Sequence, residues 1–128
     1  MNVLLDTHAF IWWIQDNPRL SDTARNIISD AGNTILLSTA SFWEMSIKIQ
    51  LGKLSLADNS LKFIENQVVI NNFEHLPISI AHTWSLQQLP VHHKDPFDRM
   101  LITQSRQNEL PIITCDPAFD SYAVDCIW

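Results

Sequence analysis

The stretch "DPFDRMLITQSRQNELPIITCD", residues 95–116, decides how the chain is read. Its first part reads as a helix. Asp95 stands at the N-cap and Pro96 at the first helical position, where a missing N–H costs nothing and the fixed φ suits the turn. Its second part, "LPIITCD", is a short apolar run closed by an acid, as expected of a strand buried on both faces. The same unit recurs along the chain. "NVLL" (Asn2–Leu5) reads as a buried strand ending at Asp6, with "THAFIWWIQD" following at helical spacing. Ser21 caps a second helix, which Gly32 closes. "TILLS" (Thr34–Ser38) is a strand leading into the helix "TASFWEMSIKIQLG", with Ala40, Trp43, Ile47 and Leu51 on one apolar face and Gly52 at its end. "NSLKFIENQVVINN" is a helix capped by Asn59 or Ser60. "FEHLPIS" holds a short strand, and "SIAHTWSLQQL" is a helix stopped before Pro90. Asp116–Pro117 opens a turn or short helix, and "AVDCIW" is the last strand. Strands alternating with helices over the whole length predict one α/β domain, residues 1–128, on a mostly parallel sheet.

The composition narrows the function. The chain has 128 residues, 46% of them hydrophobic, enough for one core. Two glycines are too few for a glycine-rich phosphate loop, and no dinucleotide fingerprint is present. The formal net charge is −6. A protein that holds nucleic acid mainly by neutralising phosphates is usually basic. Either nucleic acid is not a partner, or the positive charge comes from a metal or a second protein. Cys115 and Cys126 have neither metal-type spacing nor a disulfide framework, and read as reduced, buried thiols. The N-terminus has no basic leader, and "AFIWWI" is far too short to span a bilayer. The expectation is a soluble, cytoplasmic protein.

In an open parallel sheet, sites form beyond the carboxyl ends of the strands. Asp6 and Asp116 each follow a strand, Glu44 lies about two turns into the helix after "TILLS", and Asp95 and Asp98 open the helix before the Asp116 strand. Each has a structural reading. Asp6, Asp95 and Asp116 suit N-caps, Asp98 at N3 suits the helix dipole, and Glu44 can pair with Lys48 at i+4. Together they predict more. Carboxylates gathered at one edge repel and raise one another's pKa, and a divalent cation relieves that. Oxygen ligands suit Mg²⁺ or Mn²⁺. Such an ion with open water positions is the usual apparatus for phosphodiester hydrolysis.

The segments "LLDTHAFIW", "LSTASFWEMSIK", "HHKDPFDRMLITQS" and "LPIITCD", in this order, closely resemble PIN domains, and among them the VapC-type toxins of bacterial toxin–antitoxin pairs. The resemblance covers essentially the whole chain. It implies a five-stranded parallel sheet and a ribonuclease using Mg²⁺ or Mn²⁺, cutting RNA to leave a 5′-phosphate and a 3′-hydroxyl. It further implies an antitoxin partner and a homodimer. Carried over by position, the acid set is Asp6, Glu44, Asp98 and Asp116, both as metal ligands and as catalytic residues. Thr114 fits the hydroxyl often found beside the last acid, and Thr7 and Ser38 are the other hydroxyls near the site. Asp95 is assigned mainly to capping, with a metal role left open. Arg99 either holds a carboxylate, touches phosphate, or forms a surface ion pair.

The remaining signals have plainer readings. The histidines His8, His75, His82, His92 and His93 show no zinc-type pairing, and His92 and His93 either line the substrate groove beside Lys94 or belong to an exposed polar loop. Trp12, Trp13 and Trp43 either stack RNA bases or pack in the core or against a partner. A haloacid-dehalogenase-type phosphatase needs Asp-x-Asp after the first strand, where this chain has Asp6-Thr7-His8. The competing reading from another class is a PIN-like module without catalysis that binds RNA or protein.

Overall fold

The computed structural model describes residues 1–128. Five strands form one sheet in the order β3-β2-β1-β4-β5. They are β1 (Asn2–Leu5), β2 (Thr34–Ser38), β3 (Glu74–Leu76), β4 (Ile112–Ile113) and β5 (Cys126–Ile127). All four pairings are parallel: Val3 faces Ile35, Leu5 faces Ile113, Leu37 faces His75, and Ile113 faces Ile127. Parallel strands need helical crossovers. Those from β1 to β4 are supplied by α1 (Thr7–Ile14), α2 (Asp22–Ser29), α3 (Thr39–Gln50), α4 (Leu61–Ile70), α5 (Ile80–Ser85) and α6 (Pro96–Gln107), and β4 is joined to β5 through the 3-10 turn Pro117–Ser121.

The apolar strand runs mean what parallel topology requires, since helices cover both faces. Side chains alternate across the sheet. Val3, Leu5, Ile35, Leu37 and Ile113 pack on one side with Phe10, Ala24, Ile28 and Met45. Leu4 and Ile112 pack on the other with Met100, Leu101, Ile102 and Phe119. Trp12 and Trp13 are partly buried against the first of these clusters, which answers for both as core residues.

Several local expectations change. Helix α2 ends at Ser29, and Asp30 in extended conformation caps it. Gly32 instead donates its N–H to Asp30 Oδ1 at 2.9 Å. Gly52, at φ 71°, does end the turn after α3. The face expected of α3 is met only in part: Ala40 is buried and Ile47 half-buried, but Trp43 and Leu51 are 59% and 62% exposed, while Ser41, Glu44 and Met45 are buried. Trp43 packs edge-on against Phe97 at the surface, 5.1 Å between ring centroids. Ser60, not Asn59, caps α4. The helix before Pro90 is α5 followed by a 3-10 turn, Leu86–Gln88. Cys115 and Cys126 are free, but Cys115 is exposed and Cys126 half-buried, so neither is the buried thiol expected. No helix is long and apolar enough to cross a membrane.

Candidate metal centre

The strand order reverses at the centre of the sheet. From β1 the chain moves outward to β2 and β3, then returns to place β4 on the other side of β1. The crevice beyond the carboxyl ends of β1 and β4 is therefore the topological switch point, where open α/β sheets bind ligands. Asp6 ends β1, and its N–H donates to Ile113 O at 3.1 Å, which ties it to β4. It is buried, and its Oδ1 accepts the N–H of Ala9 at 2.7 Å. The Thr114 hydroxyl, immediately after β4, lies close enough to lower the pKa of Asp6, and it accepts the N–H of Asp116 at 3.1 Å. Burial nevertheless pushes the Asp6 carboxyl up to about 6, with Asp116 and Glu44 adding to the rise and the Thr114 hydroxyl and the Ala9 N–H opposing it. Asp116 caps the 3-10 turn Pro117–Ser121 by accepting the N–H of Ala118 at 2.9 Å.

Helices α3 and α6 bring the other two acids. Glu44 is 6% exposed. Its Oε2 meets Lys48 Nζ at 2.8 Å, the expected i+4 pair, while its Oε1 is buried without any hydrogen-bond partner. Asp98 lies in the first turn of α6, and its Oδ2 meets His93 Nε2 at 2.7 Å. Burial raises the Asp98 carboxyl to about 6; Asp95 and Glu44 add to this and His93 opposes it. The nearest ligand atoms of His93, Asp98 and Asp116 all lie within 4.8 Å of one another. Asp6 and Glu44 stand outside that set but close enough to act on it electrostatically.

The supporting residues divide. Asp95 is an N-cap: its Oδ1 accepts the N–H groups of Phe97 and Asp98, both at 2.9 Å. Ser38 caps α3 through Ala40 N–H and donates to Gln104 Oε1 at 2.6 Å, so its hydroxyl serves packing rather than the acids. Thr7 donates to Ser41 Oγ at 3.0 Å. Arg99 holds no carboxylate and forms no ion pair; its guanidinium is turned instead onto backbone carbonyls and the Tyr122 hydroxyl. Its Nη1 donates to Pro90 O, His93 O and Tyr122 Oη, and its Nη2 to Leu86 O and Leu89 O. The residue that sequence reasoning missed is His93. His92 is exposed as expected of a loop residue, but His93 is turned inward onto Asp98.

A group of this kind suits a hard divalent cation. A buried carboxylate oxygen with no partner forgoes its hydrogen bonding, which costs at least ~1–3 kcal/mol. Glu44 Oε1 is such an atom. Two further carboxyls nearby carry raised pKa values because burial and their neighbours disfavour their charged forms. One cation answers both costs, and oxygen donors with open positions match Mg²⁺ or Mn²⁺.

The PIN domain family model matches residues 3–125, and the chain belongs to the PIN domain family. Ribonuclease VapC16 of Mycobacterium tuberculosis is 37% identical over 71 residues, which is 52% of this chain and 50% of that protein. The chain thus matches about half the length of that curated relative. Among solved structures, VapBC2 from Rickettsia felis, bound to a DNA fragment from their promoter, superposes with a TM-score of 0.70 at 14% identity, covering 99% of this chain and 98% of that chain. VapBC-5 from Mycobacterium tuberculosis, of the VapBC family of toxin–antitoxin systems, gives 0.57 at 16% identity, covering 98% and 95%. At these identities the two structures share the fold with this chain.

Proposed function

We propose that the chain is a metal-dependent endoribonuclease and the toxin of a VapC-type toxin–antitoxin pair, working in the cytoplasm as a homodimer with a cognate antitoxin. The observation that carries the chemistry is the buried, partnerless Glu44 Oε1 beside three further carboxyls gathered from distant sequence. Asp98 and Asp116 would hold the cation, with Asp6 and Glu44 binding it directly or through water. When bound, Mg²⁺ or Mn²⁺ supplies Lewis-acid polarisation of a phosphoryl oxygen and a bound water that ionises near neutral pH.

The chain's own residues do the rest. Asp6 is oriented by Ala9 N–H and Thr114, so its carboxylate needs no reorganisation on binding. Asp98 or Glu44 accepts the proton of the attacking water, and Glu44 has an oxygen without a hydrogen-bond partner for it. In-line attack on phosphorus then leaves a 5′-phosphate and a 3′-hydroxyl. The neutral-to-acidic surface is compatible with an RNA substrate because the cation, not the protein, attracts the phosphate.

One observation favours a second reading, a PIN-like module that binds RNA or protein without cutting. Lys48 already neutralises one oxygen of Glu44 with no metal involved. A single experiment separates the two. A mixed RNA pool is incubated with the purified chain in Mg²⁺, in Mn²⁺ and in chelator, with Asp6→Asn alongside. Cutting that needs the metal and disappears in the variant supports the nuclease. RNA left intact by folded, antitoxin-free protein, together with wild-type and variant chains that are equally harmless in growing cells, supports the binding module.

A further inference from the structure

His93 is built into the acid group with unusual care for a loop residue. Its backbone is pinned at both ends. Its N–H donates to Tyr122 Oη at 2.9 Å, and its carbonyl accepts from Arg99 Nη1 at 3.3 Å. Tyr122 Oη in turn accepts the N–H of His92 at 3.1 Å and donates to Pro90 O at 2.9 Å. Arg99, on the same helix as Asp98, gathers the carbonyls of Leu86, Leu89 and Pro90 as well. These bonds fix the segment 86–93 against α6 and the turn after Asp116. The outcome is one imidazole nitrogen, Nε2, 2.7 Å from Asp98 Oδ2 and within 4.8 Å of the nearest Asp116 oxygen.

Those spacings suit shared ligation. Around an octahedral ion with bonds of about 2.1 Å, neighbouring donors lie ~3 Å apart and opposite donors ~4.2 Å apart. A nitrogen–oxygen pair at 2.7 Å needs to open by only a few tenths of an ångström for an ion to replace the shared proton. A second observation points to a ligand independently, since Glu44 Oε1 is buried, partnerless and near enough to Asp98 to raise its pKa.

We propose that His93 is a nitrogen ligand of the metal centre, so that the centre prefers Mn²⁺, and other imidazole-accepting divalent ions, over Mg²⁺. This rests on the metal-centre reading above and adds to it a donor atom and a selectivity. The physical reason is ligand type. Carboxylate and water suit Mg²⁺ and Mn²⁺ alike, whereas an imidazole nitrogen favours the transition ion.

The test uses the full-length chain, Mn²⁺ and Mg²⁺, and reads the bound ion rather than turnover. Pulsed electron paramagnetic resonance of the Mn²⁺-loaded protein should show coupling to an imidazole ¹⁴N. That coupling should vanish in His93→Gln and persist in His92→Gln, the exposed neighbour. Calorimetric titration should show His93→Gln losing about 10-fold or more in Mn²⁺ affinity, the low end of what disturbing a metal's ligand shell costs, with a smaller loss for Mg²⁺. Thermal melting without metal verifies that each variant is folded. Tight Mn²⁺ binding with no nitrogen coupling, or coupling unchanged in His93→Gln, overturns the assignment of His93 while leaving the acid centre standing. No Mn²⁺ binding to folded wild type overturns the metal-centre reading itself, and this proposal with it.

Discussion

The two sides of the acid group are held by different means. On the sheet side, Asp6 and Thr114 continue straight from β1 and β4, so the same interior that buries Leu4, Leu5, Ile112 and Ile113 sets their positions. On the α6 side, Asp98 and His93 depend on a polar clamp, with Asp95 capping the helix and Arg99 and Tyr122 fastening the preceding segment. The sheet side is positioned by apolar packing, which is cooperative with the whole fold. The α6 side is positioned by a few hydrogen bonds to backbone carbonyls, which can be removed singly. The comparison teaches that a site can have one rigid wall and one adjustable wall, with its charges shared across both.

The largest effects should come from the acids themselves. Asp6→Asn and Asp98→Asn should each lower RNA cleavage by roughly 100-fold or more, the scale expected for losing one preorganised electrostatic group. Both should keep a wild-type far-ultraviolet circular dichroism spectrum, because each loses a charge and not a packing volume. Full activity in either would remove that acid from the site.

Next comes the clamp. Arg99→Met should destabilise the fold by roughly 1–3 kcal/mol through carbonyls left without their donor, and should speed hydrogen exchange in the segment 86–93 before it touches β1. Chemical denaturation and residue-resolved exchange check both parts. If β1 and the segment 86–93 loosen together, the two walls are not separable.

The dependence on pH follows from the raised carboxyls. Asp6 and Asp98 titrate near 6 when folded against 3.8 in the unfolded chain, so the folded state binds the extra protons between those values. The contribution of these two groups to stability therefore falls as pH rises from about 4 to about 6, by an amount on the order of a few kcal/mol for the pair. Metal-free protein should lose the remaining part of that contribution between pH 5 and pH 7.5. A divalent ion needs the carboxylates ionised, so the rise in Tm it produces should be greater at pH 7.5 than at pH 5. Melts with chelator and with Mn²⁺ at both values test the sign.

The smallest effect is assigned to Asp95. Asp95→Asn keeps a capping side chain, and Asn and Asp cap about equally well. Cleavage should stay near wild type, while Asp95→Ala should cost ~0.5–2 kcal/mol of stability. A collapse of cleavage in the Asn variant would show that this carboxylate's charge matters to the site beyond its cap.

Much of this arrangement is legible in the chain. The apolar runs ending at Asp6 and before Asp116 mark buried parallel strands, and Asp95-Pro96 marks a helix start; each rests on local chemistry that tertiary contacts do not overrule. The orientation of α3 is not legible in the same way. Hydrophobicity selects the stripe through Ala40, Trp43 and Leu51, but beside Ala40 the buried stripe carries Ser41, Glu44 and Met45, so the helix turns an acid inward. Periodicity of apolar residues cannot find a buried face that is partly polar. His93 and Arg99 are hidden for another reason. Their roles depend on the path of the segment 86–93, which is set by carbonyl groups that every residue possesses.

The parallel order of the sheet also has a consequence in time. β1 is synthesised well before its neighbour β4, which lies more than a hundred residues later, at Ile112–Ile113. Pairings so distant in sequence form slowly and last. A ribosome-bound chain that has not yet reached Asp116 therefore carries Asp6 and Glu44 without it. If the folded protein cuts RNA, its assembly order keeps it harmless until β4 and Asp116 have been made.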